Sequence, residues 1–106
     1  MRLAAALCVL AVAQPALAKD KDPAVGRGRD FARSACASCH AVERDRTSPT
    51  PRAPPFGSRE MQHVAGLQGR LSELTARGHY GMPPQALTDQ QVRDLLAYIE
   101  SLASGR

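Results

Sequence analysis

The sequence predicts a fold built from α-helices, because three segments carry helical signals. At the start of the first, Asp22-Pro23 places a capping side chain before a proline, an arrangement favoured at helix N-termini. Between residues 58 and 77, apolar residues recur at every third or fourth position, which is typical of an amphipathic helix. The segment from Thr88 to Leu102 combines a capping signal with an apolar face.

The first helix is expected to run from Pro23 into the region of Cys36, with Asp22 as its cap. Gly26 and Gly28 lie inside it and weaken it locally, since glycine loses more backbone entropy than other residues on entering a helix. In the middle segment we expect the apolar face to be buried as core. This face consists of Met61, Val64, Leu67, Leu71 and Leu74.

The last helix has the clearest start signal. Thr88 is the expected N-cap and Gln91 its capping-box partner, so that each side chain bonds the backbone N–H of the other residue. Leu87 and Val92 are placed to form the hydrophobic staple of the same motif. The expected buried face consists of Val92, Leu95, Leu96, Ile99 and Leu102.

The N-terminal residues have the layout of a secretory signal peptide. Arg2 is a short positive region, an apolar run covers Leu3–Ala13, and Ala16-Leu17-Ala18 is a small-residue cleavage site, an order typical of exported proteins. The run is too short to span a bilayer, which takes about 20 residues. We expect residues 1–18 to be removed, leaving an exported domain of residues 19–106 without a stable membrane anchor.

The composition of the chain bounds its function. It carries 14 Lys and Arg against 10 Asp and Glu, a mildly basic balance without a block of like charge that would indicate nucleic-acid binding. One domain of this size is near the lower limit for a self-sufficient core. With two Phe, two Tyr and no Trp, we expect another group to fill part of the centre.

The candidate functional motif is Cys36-Ala37-Ser38-Cys39-His40. It contains both cysteines of the expected mature chain, because the third cysteine, Cys8, lies in the leader. A disulfide across this spacing would close only a tiny loop and stabilise little. A zinc site usually has four ligands and would have to recruit His63 or His79 without zinc-finger spacing. The third interpretation is covalent haem, for which C-x-x-C-H is the signature, and we adopt it.

The spacing of this motif suits one porphyrin. Residues three apart share a face of a helix, so the sulfurs of Cys36 and Cys39 can bond the two vinyl groups along one edge of a haem. His40 follows on the same turn, where its imidazole can reach the iron. The small residues Ala37 and Ser38 allow the ring to approach the backbone.

A haem held by His40 retains one open axial position, and we expect Met82 to fill it. Met82 lies in a loop, GHYGMPPQAL, where two prolines stiffen the backbone and remove donors. Methionine with histidine is a known axial pair for c-type haem. Met61 is expected in the core and His63 points elsewhere on the same helix, so His79 and an open site are the alternatives.

The order of these motifs resembles that of class I c-type cytochromes, particularly small bacterial periplasmic monohaem cytochromes. The C-x-x-C-H position argues against the four-helix-bundle c-type cytochromes, whose motif lies near the C-terminus. The matching pieces cover nearly all of the mature chain: Gly28, Cys36–His40, Ala53–Phe56, Met82-Pro83 and the closing LTDQQVRDLLAYIESL.

The resemblance implies an all-α cytochrome c fold, with about four helices wrapped round one covalently bound haem c. It also implies that the last helix crosses the first closely at Gly28, where Tyr98 packs. One departure from the family is Ala32, where many relatives carry an aromatic residue, with Phe31 one position earlier.

The family pattern further implies a hydrogen bond to the haem histidine. Residues 41–55 are predicted to form a proline-rich loop, and the resemblance places a proline carbonyl against the second nitrogen of His40. Pro54 is the best match, with Pro49 and Pro51 as alternatives. Such a bond orients the imidazole and raises its basicity.

Together, these inferences predict a periplasmic electron carrier that transfers one electron through a haem ligated by His40 and Met82. We expect a monomer without enzyme activity of its own that docks transiently with redox partner proteins at the haem edge. The alternatives are a haem catalyst or gas sensor with an open or displaceable sixth site, and a dedicated cytochrome subunit of a periplasmic dehydrogenase.

Overall fold

The computed structural model describes Val9 and residues 22–65 and 68–103, except for the side chains of Val64, Ala65 and Gln68. The predicted cleavage site after Ala18 and the apolar residue Leu67 lie outside this part. The described residues form four helices and no strand longer than a single bridge, which confirms the all-α fold. The helices are α1 (Pro23–Ala35), α2 (Arg59–Ala65), α3 (Gln68–Arg77) and α4 (Asp89–Ala103).

Helix α1 begins where the capping signal predicts. The Asp22 carboxylate accepts a hydrogen bond of 3.0 Å from the Ala24 N–H, and Pro23 follows it at the first helical position. The helix ends at Ala35, with Cys36 as its C-cap. Ala32 is fully buried and Phe31 packs partly against the core, so the smaller residue occupies the tighter position.

The middle segment contains two helices within the stretch that shows one amphipathic pattern. Helix α2 begins after Ser58, whose hydroxyl accepts a hydrogen bond of 3.2 Å from the Met61 N–H. Met61 and Leu71 are both buried in the main core cluster, which confirms their predicted place. Leu74 is half-buried on α3.

Helix α4 has the predicted capping box. The Thr88 N–H donates to the Gln91 side-chain oxygen at 2.9 Å, and the Gln91 N–H donates to the Thr88 hydroxyl at 3.1 Å. Leu87 packs partly against the core, as expected for one side of a hydrophobic staple. Of the predicted face, four residues are buried and Leu96 is half-buried; the buried residues are Val92, Leu95, Ile99 and Leu102.

Helices α1 and α4 cross in close contact at Gly28. A Cβ atom built on Gly28 would lie 2.6 Å from the carbonyl carbon of Asp94 and 2.8 Å from the Cβ of Tyr98. Both distances are shorter than van der Waals contact, so only glycine lets the two backbones approach this closely. The crossing at Gly28 and the packing of Tyr98 over it are therefore confirmed.

Side-chain hydrogen bonds hold α4 both at this crossing and at its C-terminal end. The guanidinium of Arg27 donates two hydrogen bonds of 2.9 Å to the Asp94 carboxylate, and Gln90 adds a third of 2.8 Å. The hydrogen bond from Arg27 holds the pKa of the Asp94 carboxyl below its usual value. At the other end of the helix, Arg44 donates to the carbonyls of Ser101 and Leu102, which have no partner further along α4.

A membrane-spanning helix would need to be longer and more apolar than any that the described part of the chain contains.

We predict that Gly28→Ala destabilises the fold, because the new methyl group meets the α4 backbone rather than a flexible side chain. Overpacking of this kind costs about 1–3 kcal/mol. Gly26→Ala is the matched control, since its Cβ would meet only the end of the Arg29 side chain at 4.0 Å and alanine favours the helix by about 0.5–1 kcal/mol. Thermal unfolding of both variants separates the two effects. Equal melting temperatures would contradict the close crossing.

We predict that Thr88→Ala costs about 1 kcal/mol through loss of the cap on α4, while the visible spectrum of the protein stays the same. Thr88→Ser, which keeps a hydroxyl, should retain most of the stability. Chemical denaturation measures both variants, and an alanine variant as stable as the parent would show that the capping box contributes little.

Candidate functional site

The two cysteines and the histidine of the C-x-x-C-H motif lie on one tight turn of the chain. The N–H groups of Cys39 and His40 both donate to the Cys36 carbonyl, at 3.2 and 2.9 Å. This pattern continues the helical winding for one turn beyond the end of α1. The motif therefore presents its three reactive side chains from a short, hydrogen-bonded segment rather than from a loose loop.

The chemistry of the two cysteines is that of free thiols. Cys36 and Cys39 are both half-buried and neither forms a disulfide. Burial, with Cys39 nearby, raises the pKa of the Cys36 thiol to about 11, so that this thiol is protonated at neutral pH. Among the described residues, no group of three or more His, Cys, Asp and Glu side chains forms a metal-ion cluster. His40 and the two thiols therefore do not form one.

The His40 imidazole is oriented by the loop that follows it. Its Nδ1 atom lies 2.8 Å from the Pro54 carbonyl oxygen. Because a carbonyl oxygen can only accept, Nδ1 donates this hydrogen bond, and in the neutral ring Nε2 then carries the lone pair. The ring also contacts the buried ring of Phe56, with a centroid separation of 5.3 Å. Pro54, which the resemblance favours over Pro49 and Pro51, thus contacts His40.

Backbone hydrogen bonds close the loop between His40 and Phe56 onto the motif. The Thr50 N–H donates to the Cys39 carbonyl at 3.1 Å, and the Phe56 N–H donates to the Ala41 carbonyl at 2.9 Å. The hydroxyl of Ser48, which is buried, accepts a bond of 2.9 Å from the Ala41 N–H. These bonds fix the position of the Pro54 carbonyl relative to the histidine.

Tyr98 connects this loop to the last helix. Its hydroxyl donates a buried hydrogen bond of 2.6 Å to the Val42 carbonyl, two residues after His40. The sequence predicts Tyr98 at the helix crossing but gives no indication of this bond. A tyrosine on an otherwise buried helix face is itself a signal, because buried hydroxyls usually have a partner. No sequence pattern distinguished Ser48 from the other loop residues.

Met82 lies on a tight hairpin between α3 and α4. His79 and Met82 exchange two backbone hydrogen bonds, of 3.2 and 2.7 Å, across the two residues Tyr80 and Gly81. Both central residues have positive φ, 44° and 88°, as a mirror-image type I′ turn requires. Gly78 also has positive φ, and a side chain there would overlap the Met82 carbonyl.

The other three candidates for an axial ligand occupy different environments. Met61 is only 7% exposed and packs in the main core on α2. His63 is exposed on the same helix. His79 is half-buried, and its Nδ1 atom has no hydrogen-bond partner in the described part of the chain. The structure thus brings Cys36–His40 together with Pro54, and it places Met82 on a separate hairpin.

This arrangement fits a covalently attached haem. Two thiols stand three residues apart, and the adjacent imidazole has one nitrogen engaged by a backbone carbonyl and the other available to iron. Metal-bound histidines typically donate their second nitrogen in this manner.

A comparison with protein families identifies the chain. The sequence model of the family described as cytochrome c matches residues 25–103, which include most of α1 and the whole of α2, α3 and α4. Searches of curated proteins and of solved structures each found no significant match. The match covers most of the chain, which therefore belongs to the cytochrome c family. Its cofactor is one covalently attached haem c.

We predict that acid-acetone extraction of the purified protein leaves the haem with the polypeptide. Replacement of both thiols, in Cys36→Ala/Cys39→Ala, should make the colour extractable, because no thioether bond then remains. Cys39→Ala alone should retain one covalent bond. Complete extraction of haem from the parent protein would show that the thiols do not carry it.

Proposed function

We propose that the protein is a periplasmic electron carrier whose haem is ligated by His40 and Met82. Membership in the cytochrome c family indicates haem-based electron transfer, generally without enzyme activity. The ligands and the compartment are our proposal. The observation that carries the ligand assignment is the hydrogen bond from His40 to the Pro54 carbonyl, inside the C-x-x-C-H turn.

The thiols of Cys36 and Cys39 would hold the cofactor by adding across its two vinyl groups. Each sulfur would bond one vinyl carbon and the thiol hydrogen would go to the other, so no electrons would be gained or lost. Haem c, when bound, supplies an iron that exchanges one electron between its ferrous and ferric states. Covalent attachment retains the group in an exported protein, which has no intracellular supply of haem to replace a lost one.

His40 would ligate the iron through Nε2. Its Nδ1–H is committed to Pro54, so the bond fixes both the tautomer and the orientation of the ring. A hydrogen bond of this kind makes the second nitrogen a stronger donor to the metal. The contact with Phe56 restricts rotation of the imidazole as well, so little reorganisation is needed when the charge of the iron changes.

Met82 would fill the sixth position from its hairpin. Two backbone hydrogen bonds close the hairpin and two prolines follow it, so the thioether is held by a stiff segment. A soft sulfur ligand favours ferrous iron and raises the reduction potential. With both axial positions filled, small ligands are excluded, which favours electron transfer over catalysis or gas sensing.

The N-terminal residues support an exported setting for this function. The leader of residues 1–18 supports export, and we propose that the mature domain works as a monomer in the periplasm. Its redox partners would dock at the haem edge near the thioether bonds. Carriers of this type use small interfaces, below about 1,200 Å² of buried surface, which form and separate quickly.

We predict that Met82→Ala abolishes the charge-transfer band between methionine sulfur and ferric iron. The vacated position should bind water or carbon monoxide, and the reduction potential should fall because the soft sulfur is lost. Met61→Leu is the matched control, because it changes a methionine that is buried in the core. It should keep the band and cost less than about 1.5 kcal/mol of stability.

The reverse pattern, with the band lost in Met61→Leu and kept in Met82→Ala, would make Met61 the ligand. If the parent protein lacked the band, methionine would be excluded as an iron ligand. If its ferrous form then bound carbon monoxide readily, the open-site function of a catalyst or sensor would replace the carrier.

A further inference from the structure

In the described part of the chain, four hydrogen bonds join the segment after the C-x-x-C-H motif back to residues 39–41. Three of them use backbone atoms of that segment, on Thr50, Pro54 and Phe56. The fourth, of 2.9 Å, runs from the Ala41 N–H to the Ser48 hydroxyl. Backbone atoms are common to almost all residues, so the Ser48 bond is the one of the four that depends on which side chain the segment carries.

Both partners of the Ser48 bond are shielded from water. Ala41 is 6% exposed and Ser48 is 8% exposed, so a water molecule cannot readily take the place of the hydroxyl. Buried backbone N–H groups are nearly always paired, because an unpaired one loses its hydration without compensation. Removal of the hydroxyl would therefore drive the peptide group between His40 and Ala41 towards another acceptor.

The peptide group that would move belongs to the residue that bears the imidazole. The Nδ1 atom of His40 lies 2.8 Å from the Pro54 carbonyl oxygen, and a hydrogen bond weakens steeply as its geometry departs from the favoured range. The Pro54 carbonyl lies in the segment that Ser48 helps to close onto the motif. Loss of the Ser48 bond would thus displace both partners of the bond that orients the ring.

We propose that Ser48 is a positioning residue for His40, whose hydroxyl keeps the imidazole Nδ1–H on the Pro54 carbonyl and thereby tunes the reduction potential. The proposal rests on His40 as an iron ligand, which is part of the proposed function. Ser48 acts through the backbone of Ala41. A firm bond at Nδ1 makes the other ring nitrogen a stronger donor to the metal, which favours ferric iron and lowers the potential.

The first test measures hydrogen exchange by NMR in the intact ferrous protein, labelled uniformly with ¹⁵N. Ser48→Ala should speed exchange of the His40 Nδ1 proton by about tenfold or more, as expected when a buried donor loses its partner. The N–H of Ile99, which is fully buried on α4, reports unfolding of the whole domain. Unchanged exchange at His40 would overturn the proposal. Equal acceleration at His40 and Ile99 would also overturn it, because Ser48 would then only stabilise the fold.

The second test measures the reduction potential. Ser48→Ala should raise it, because a looser bond at Nδ1 makes His40 a weaker donor and leaves ferric iron less stabilised. Thr50→Ala is the matched control, since Thr50 is exposed and bonds the motif through its backbone N–H. It should leave the potential unchanged.

A conservative variant shows whether the hydroxyl itself is responsible. Ser48→Thr retains a hydroxyl and should lie closer to the parent than Ser48→Ala does, in both proton exchange and potential. Equal potentials in Ser48→Ala and Thr50→Ala would overturn the proposal, and so would a threonine variant no closer to the parent than the alanine variant.

Ligation of the iron by His40 is reported by a separate signal. In the ferrous low-spin protein, the ring current of the haem shifts the carbon-bound protons of an axial imidazole far upfield. A parent protein without these shifts at His40 would contradict the proposed ligand. Exchange of the Nδ1 proton in Ser48→Ala would still decide whether Ser48 holds the ring on the Pro54 carbonyl.

Discussion

The close approach of α1 and α4 at Gly28 is the constraint on which the other contacts depend. Without a side chain at this position, the Asp94 and Tyr98 turns of α4 lie directly on the α1 backbone. That approach determines the position of the Tyr98 hydroxyl, which donates a hydrogen bond to the carbonyl of Val42. The segment that follows His40 is thus located by a helix that begins almost fifty residues later in the chain.

The orientation of His40 depends in turn on the loop that follows it. Its partner, the Pro54 carbonyl, belongs to a loop that has little regular structure of its own. Proline has no N–H group but keeps its carbonyl. A proline-rich loop therefore offers hydrogen-bond acceptors while containing few N–H groups that need one. The buried Ser48 hydroxyl and the backbone bond from Phe56 to Ala41 supply the remaining connections. The result is an imidazole restrained from both sides before any metal binds.

The features that the sequence predicted well are those decided by neighbouring residues. The capping box of Thr88 and Gln91 and the cap at Asp22 involve residues two or three apart, and the structure contains both. The Gly28 crossing and the Pro54 contact were expected only through the resemblance to a family. No local pattern relates residues separated by fourteen or more positions.

The features that sequence reasoning missed depend on three-dimensional neighbours or on unusual backbone. Two helices occupy the stretch with one continuous amphipathic pattern. The turn at Tyr80-Gly81 was expected only as a stiff loop, because tyrosine is not among the residues that usually signal a type I′ turn. The burial of His79 Nδ1 depends on the hairpin and on what packs against it, so it has no counterpart in the sequence.

The positive φ of Tyr80 has a consequence for the motions of the molecule. A non-glycine residue in this conformation carries strain of order 1–3 kcal/mol, and two backbone hydrogen bonds close the turn. Segments of this kind open locally at far lower free energy than a packed helix crossing. In the protein part alone, the turn at Tyr80-Gly81 would therefore open more readily than α1 and α4 separate, and a bond from Met82 to the cofactor would oppose that opening. Closure of the turn and binding of the cofactor would then stabilise each other.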